Sequence, residues 1–388
     1  MVNVAPAHTN MTTDHALAFV YSPELAALSY PADCPFNNSR AARTRERLVS
    51  LGLLSAEVAP TSAPRSALEK FHTARYLDEL QRAAAGDLRV EGLHMGLGSP
   101  DTPVFRDLWR HAAGVAGASL TAADLVLAGK TRAVFTPCGG FHHAMPEKAS
   151  GFSYSNDIVL ACMRLADNGK RVLCLDLDAH HGDGTQAAFY RRGDVMTISM
   201  HESGKTLFPW TGFEDELGDG PGFGYNINIP LPAETYDDAY LLAFQRIAFP
   251  LTQAYAPDVI VLQLGMDALA GDPLTHLRLT NNVCVEILHR LLRLNVPLLI
   301  TGGGGYHVEN TVRGWTLAWK TICTDGEHDL SIGMGGEMLE NSEWIGGLQD
   351  RIRPPTPAQR AAVEPAVLET IAKLKQTVFP LHRLPSDE

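Results

Sequence analysis

A chain of 388 residues, 45% hydrophobic and 20% charged, is long enough to bury a large core and has the composition of a globular protein. Its formal net charge of −12 and the want of any long basic tract exclude tight nucleic-acid binding, and no run approaches the roughly 18 to 20 apolar residues of a membrane span. Cysteines at 34, 138, 162, 174, 284 and 323 form no C-x-x-C pair, and residues 1–14 show no signal-peptide pattern, so a cytoplasmic protein without a disulfide framework or cysteine zinc site is expected.

In chain order, residues 1–14 are expected to be flexible. Short apolar runs at Leu17–Tyr21, Ala133–Thr136, Val172–Leu177, Val195–Met200, Val259–Leu264 and Val296–Thr301 predict strands buried on both faces. Helical spacing falls between them, at Asn156–Ala166, Tyr236–Tyr255 and Val283–Leu294. The alternation predicts βαβ units and one parallel sheet with helices on both sides. Gly326–Asp350 is rich in Gly and Glu, Pro354–Pro355 breaks the chain, and Pro357–Thr377 predicts a last helix. Residues 326–388 are expected to pack as an appendage on a single domain spanning 1–388, being too short for a core of their own. No internal repeat is visible.

Ligands of an open α/β sheet bind beyond the carboxyl ends of its strands. Four polar clusters fall there: Gly139-Gly140-Phe141-His142-His143, Asp176 through Gly184, Gly265-Met266-Asp267, and Gly302-Gly303-Gly304-Gly305-Tyr306. Asp178 and His180 alternate by two and point to one side of an extended chain. With Asp267 they make three ligands for Zn²⁺ or a similar divalent ion, leaving an open position. A lone Asp-x-His reads more simply as a hydrogen-bonded loop; three further polar strand ends favour the metal. His142 and His143 offer acid–base groups near neutral pH, and Asp176 and Asp183 are carboxylates available to orient them. The glycine run lets backbone pass close to a ligand, and Tyr306 can donate to a developing oxyanion.

These segments, GGFHHAM, GFSYSND, LDLDAHHGDGT, QLGMDALAGDP and GGGGY, resemble those of the histone deacetylase family, in particular its bacterial acetoin-utilisation-type, class I-like members. The resemblance runs from Tyr21 through Phe71–Leu80 into the tail. It implies a three-layer arginase/deacetylase α/β fold with a central, mainly parallel sheet, and hydrolysis of N6-acetyl-lysine amides. It assigns Asp178, His180 and Asp267 to the metal, His143 to general base oriented by Asp183, His142 with Asp176 to an electrostatic role, and Tyr306 to the oxyanion. Gly151, Phe152 and Phe208 match the walls of an apolar substrate channel, Leu274 its rim, and Asp101 a loop aspartate that bonds substrate backbone. It further implies structural K⁺, one ion at Asp176, Asp178, His180, Ser199 and Met200 and a second at Phe189, Arg192, Val195 and Tyr225. Ser153 stands where the family often has cysteine. Acetylated proteins, an acyl-CoA synthetase among them, are the implied substrates, with acetylpolyamines as the alternative. The donor set suits Zn²⁺, and also Fe²⁺ or Mn²⁺. A two-metal ureohydrolase of the same fold would need Asp-x-Asp where Asp267 is followed by Ala268-Leu269. A silent acyl-lysine reader would be expected to lack one of these groups.

Overall fold

The computed structural model describes residues 16–28, 30–54, 56–325 and 347–386. Residues 1–14 and most of the Gly326–Asp350 segment lie outside that set. Eight strands form one sheet: β1 (Ala16–Val20), β2 (Glu57–Val58), β3 (Thr131–Thr136), β4 (Val172–Asp176), β5 (Val195–Glu202), β6 (Asn226–Leu231), β7 (Val259–Gln263) and β8 (Leu298–Thr301). Their order is β2-β1-β3-β8-β7-β4-β5-β6, and every pairing is parallel.

Alternation along each strand divides the core into two layers. Leu173 and Leu175 of β4, with Ile260 and Leu262 of β7, enter one apolar cluster. Val172 and Cys174, with Val259 and Val261, enter the other. The first layer is closed by the helices Asn282–Leu292 and Val308–Cys323 and by the rod from Asp237 to Tyr255, the second by Ala74–Ala84, Leu108–Leu127 and Asp157–Asp167. Covered on both faces, a parallel strand needs the unbroken apolar run that marks β4 and β7 in the sequence.

The six sequence-predicted strands all form, with one boundary moved by proline. β8 begins at Leu298 rather than Val296, because Pro297 has no N–H to give; its carbonyl still accepts from Ile260 N at 3.0 Å. The predicted helix Tyr236–Tyr255 is one rod from Asp237 to Tyr255 carrying a π turn at Phe244–Ala248, two residues ahead of Pro250, which has no N–H for the helical ladder. The helix at Pro357–Thr377 stands where predicted, with Val363, Val367, Ile371 and Leu374 inside the first cluster. Among the described residues no helix is long and apolar enough to cross a membrane.

Candidate active site

The strands that end in the four polar clusters, β3, β8, β7 and β4, are consecutive neighbours in the sheet. Their carboxyl ends therefore open on one place. Backbone bonds carry the register past the last strand residues: Gly302 N donates to Thr136 O (3.1 Å), Leu264 N to Thr301 O (3.2 Å), Leu177 N to Gln263 O (3.0 Å) and Met266 N to Gly304 O (2.9 Å).

Asp178, His180 and Asp267 are buried, and their ligand atoms lie within 4.8 Å of one another. His180 Nδ1 is 3.2 Å from Asp178 Oδ1 and 2.9 Å from Asp267 Oδ2. The outer oxygens are already held: Asp178 Oδ2 accepts from Gly304 N (2.7 Å) and Gln263 Nε2 (3.1 Å), and Asp267 Oδ1 accepts from Ala179 N (2.9 Å). The glycine run serves this approach. A Cβ on Gly304 would lie 2.0 Å from Asp267 Oδ2, and one on Gly140 2.4 Å from the Gly302 carbonyl carbon.

The charges fit a cation. Burial and repulsion from Asp178 push the Asp267 carboxyl up to about 7. Burial opposes a charge on His180, but hydrogen bonds to Asp178 and Asp267 outweigh it and push the imidazole up to about 10. Both shifts answer the excess of negative charge at a place where two carboxylates and an imidazole could share a divalent ion, and this donor set suits Zn²⁺, Fe²⁺ or Mn²⁺.

Beside this cage stand two His–Asp pairs. His142 Nδ1 is 2.7 Å from Asp176 Oδ2, His143 Nδ1 is 2.7 Å from Asp183 Oδ1, and the two Nε2 atoms are 3.0 Å apart. Burial works against protonation of both rings. For His142 the carboxylates of Asp176 and Asp178 overcome it and push the ring up to about 9. For His143 burial, joined by the positive His142, wins over Asp183 and holds the ring down to about 4. The two adjacent histidines thereby shift in opposite directions, His142 toward the charged and His143 toward the neutral form.

The apolar groups close around these rings. The Phe208 ring centre is 5.1 Å from that of His143, and Phe152 lies 5.5 Å from Tyr306, which in turn stands perpendicular to His180 at 6.3 Å. Gly151 packs so close to the His143 ring that a Cβ would come within 2.3 Å of Cδ2. The Asp101 carboxylate accepts from Gly151 N (2.8 Å) and from the Ser99 hydroxyl, which fixes the turn carrying Phe152. Leu274 N and Tyr306 N donate to the two oxygens of Asp272 (2.9 and 2.7 Å), so one carboxylate ties the rim to the phenol. Burial raises the Tyr306 hydroxyl well above the usual phenol range, aided by Asp267 and Asp178, so it remains a donor.

Asp176 and Ser199 are Cα partners across β4 and β5, with Met200 the next residue of β5, so these backbones adjoin the Asp178–His180 loop. Ser199 Oγ bonds His201 Nδ1 (2.8 Å). At the other end of β5, near Val195, Phe189 O accepts from Arg192 N and Tyr225 O from Thr197 N, both at 2.9 Å.

Sequence reasoning gave no role to four residues that hold the site. Asp157 accepts from Gly140 N (3.0 Å), Phe141 N (2.8 Å) and the Ser119 hydroxyl (2.5 Å). Asn156 caps the helix Asp157–Asp167 with its oxygen and donates its amide to His142 O (3.0 Å). Gln263 closes β7 onto Asp178. Arg40 is buried over Phe36 and Trp315 and donates to Gly305 O (2.7 Å). Asn156, Asp157 and Gln263 sit inside quoted motifs, which was the available signal; Arg40, on an amphipathic helix, offered none.

Comparison with known proteins agrees with this geometry. The histone deacetylase domain family matches residues 34–322. The chain is 40% identical over 311 residues to acetoin utilization protein AcuC of Bacillus subtilis, covering 78% of this chain and 80% of that one. It is 39% identical over 287 residues to histone deacetylase 8 of Xenopus tropicalis, covering 73% and 78%. The crystal structure of a histone deacetylase homologue from Aquifex aeolicus superposes with a TM-score of 0.80 at 28% identity, covering 92% of this chain and 99% of that one. Its arginase/deacetylase fold is the fold described above. With the fold, the motifs and these relatives in agreement, the chain belongs to the histone deacetylase family.

Proposed function

We propose that the protein hydrolyses N6-acetyl-lysine amides in proteins, releasing acetate and free lysine. The observation that carries this reading is the geometry of two His–Asp pairs, His142–Asp176 and His143–Asp183, each at 2.7 Å, beside the buried Asp178–His180–Asp267 cage. Those three residues would hold a divalent cation, zinc by preference, which supplies Lewis acidity toward the acyl carbonyl and the attacking water. The chain's own groups do the rest. Phe152 and Phe208 receive the lysine methylenes and exclude water, and Gly151 leaves room for the His143 ring. His143 Nε2, uncharged, takes the proton as water attacks; Asp183 orients the ring through Nδ1 and stabilises the imidazolium that forms. His142 keeps its proton, held by Asp176, and contributes positive charge near the developing oxyanion. Tyr306 donates its hydroxyl to that oxyanion. His143 then returns the proton to the leaving amine nitrogen. A positioned acid–base group of this kind contributes about 100- to 10,000-fold.

Asp101, already bonded to the Gly151 turn, is the candidate contact to substrate backbone. Asp176, Asp178, His180, Ser199 and Met200, and separately Phe189, Arg192, Val195 and Tyr225, are the candidate positions for structural K⁺, bound chiefly through backbone carbonyls. An acetylated acyl-CoA synthetase in the cytoplasm is the candidate protein substrate. Turnover of an acetyl-lysine peptide, measured before and after chelation and with Zn²⁺ added back, tests the reading. Activity should vanish with the metal and return with it; turnover indifferent to the chelator would sink it.

A further inference from the structure

Seven described residues other than glycine adopt a left-handed backbone, and the two aromatic ones, Phe152 (φ 62°) and Trp210 (φ 67°), both stand at this site. Any side chain is strained there, and a bulky one most of all. For Phe152 the reason is visible: its N–H bonds Asp101 O, its carbonyl accepts from the Tyr30 hydroxyl, and its ring faces Tyr306. Trp210 N also finds an acceptor, Leu207 O, but among the described residues its indole has no ring packed against it as Phe152 has Tyr306. It is 61% exposed, and among the described residues no aromatic ring or cation stacks on its indole. It follows Phe208, whose ring faces His143, by two residues, so an exposed indole adjoins the residue that matches the channel wall.

The backbone that presents it is fixed. Trp210 N donates to Leu207 O (3.2 Å), the Thr206 hydroxyl to the buried Glu202 carboxylate (2.9 Å), and Gly212 N to Glu216 Oε1 (2.9 Å). Thr211 Oγ1 pairs with His181 Nδ1 at 2.9 Å. Across the loop, a Cβ on Gly204 would lie 2.5 Å from Thr211 O and 2.9 Å from the Trp210 carbonyl carbon. Glu202 also accepts from His276 N and Nδ1 (both 2.8 Å), so the same carboxylate ties this loop to the rim segment that carries Leu274. A strained, exposed indole on a rigid loop loses little further freedom when it is covered, which is the property of an anchor at a binding surface. Its face attracts cations, and the chain as a whole carries −12.

We infer that Trp210 is a specificity-determining residue that receives the polypeptide flanking the acyl-lysine and favours a basic side chain beside it. The inference rests on the deacylase reading for the identity of the group in the channel. Its test compares the wild type with Trp210→Gly, in which glycine suits the backbone and removes the ring, and with Trp210→Phe. Substrates are acetyl-lysine peptides flanked by arginine or by glutamate, and a single acetyl-lysine with both ends blocked. In the wild type the arginine-flanked peptide should be preferred; in Trp210→Gly its kcat/KM relative to the blocked residue should fall roughly 3- to 10-fold, through KM, and Trp210→Phe should restore part of it. An arginine preference that survives in Trp210→Gly would belong to the general negative charge and would overturn the assignment, as would a fall shared equally by the blocked residue. Quenching of tryptophan fluorescence by the arginine-flanked peptide, present in the wild type and reduced in Trp210→Gly, reads the same contact without turnover. Quenching with no hydrolysis would count against the deacylase reading and for the contact; hydrolysis with quenching unchanged in Trp210→Gly would do the reverse.

Discussion

His142 and His143 are adjacent in sequence and bond to similar carboxylates at the same distance, yet their pKa values shift in opposite directions, His142 up and His143 down. The difference is the second carboxylate: Asp178 acts on His142, whereas His143 faces His142 itself. Proximity of two like groups splits their protonation, and the split assigns the roles. Tyr306 is the complementary case, a buried phenol with no need to ionise. Replacing it by phenylalanine keeps the ring against Phe152 and removes only the donor. Tyr306→Phe should lower kcat/KM about 100- to 1,000-fold. Metal analysis of the same protein should find the occupancy of the parent; near-parental activity would remove Tyr306 from the oxyanion role.

At the scale of elements, the loop that carries both histidines is held from behind by Asp157 at the start of its helix. Asp157→Ala would leave Gly140 and Phe141 N–H buried without an acceptor, each costing about 1–3 kcal/mol. Thermal unfolding should shift down by several degrees, and activity should fall further than stability because His142 and His143 ride on that loop. An unchanged melting temperature would show that the loop is held by other bonds. This supporting layer is also where the sequence was least readable. The candidate metal cage and the His–Asp pairs were legible as clusters because few residue types can do that chemistry and because their motifs resemble a family. Strands β4 and β7 were legible as apolar runs. Strand β6 was not: Asn226 and Asn228 alternate with Ile227 and Ile229, and the asparagines are buried against Gln186, which no local pattern announces. The helix Leu108–Leu127 escaped for the opposite reason. It is buried nearly all round, so it has little amphipathic period, and Gly117 lets it press on the backbone at Thr61, where a Cβ would lie 2.1 Å from the carbonyl oxygen.

For the whole molecule, several histidines are buried as neutral rings away from the metal cage. Burial holds His72 and His111 down to about 4. In the unfolded chain each would titrate near 6.5, so between about pH 6.5 and 4 the unfolded state binds the extra protons and stability falls as pH falls. Each ring carries up to about 3 kcal/mol of this loss when the full interval is crossed. The loss of urea midpoint from pH 7 to pH 5 should therefore be smaller in His111→Gln than in the parent, all other titrating groups being common to both. An identical pH dependence in His111→Gln and the parent would contradict the neutral burial of this ring.

The strand order has a consequence for the birth of the chain. β3 leaves the ribosome more than a hundred residues before β8, the strand that must slot between it and β7. Until then the sheet is two separate parts with open inner edges, and the four clusters of the site face no common point. Such edges pair readily with the wrong partner. From His142 until β8 emerges, a nascent chain of this protein thus carries the clusters of its site as disconnected fragments. It becomes a possible enzyme only when one four-residue strand, Leu298–Thr301, arrives to join them.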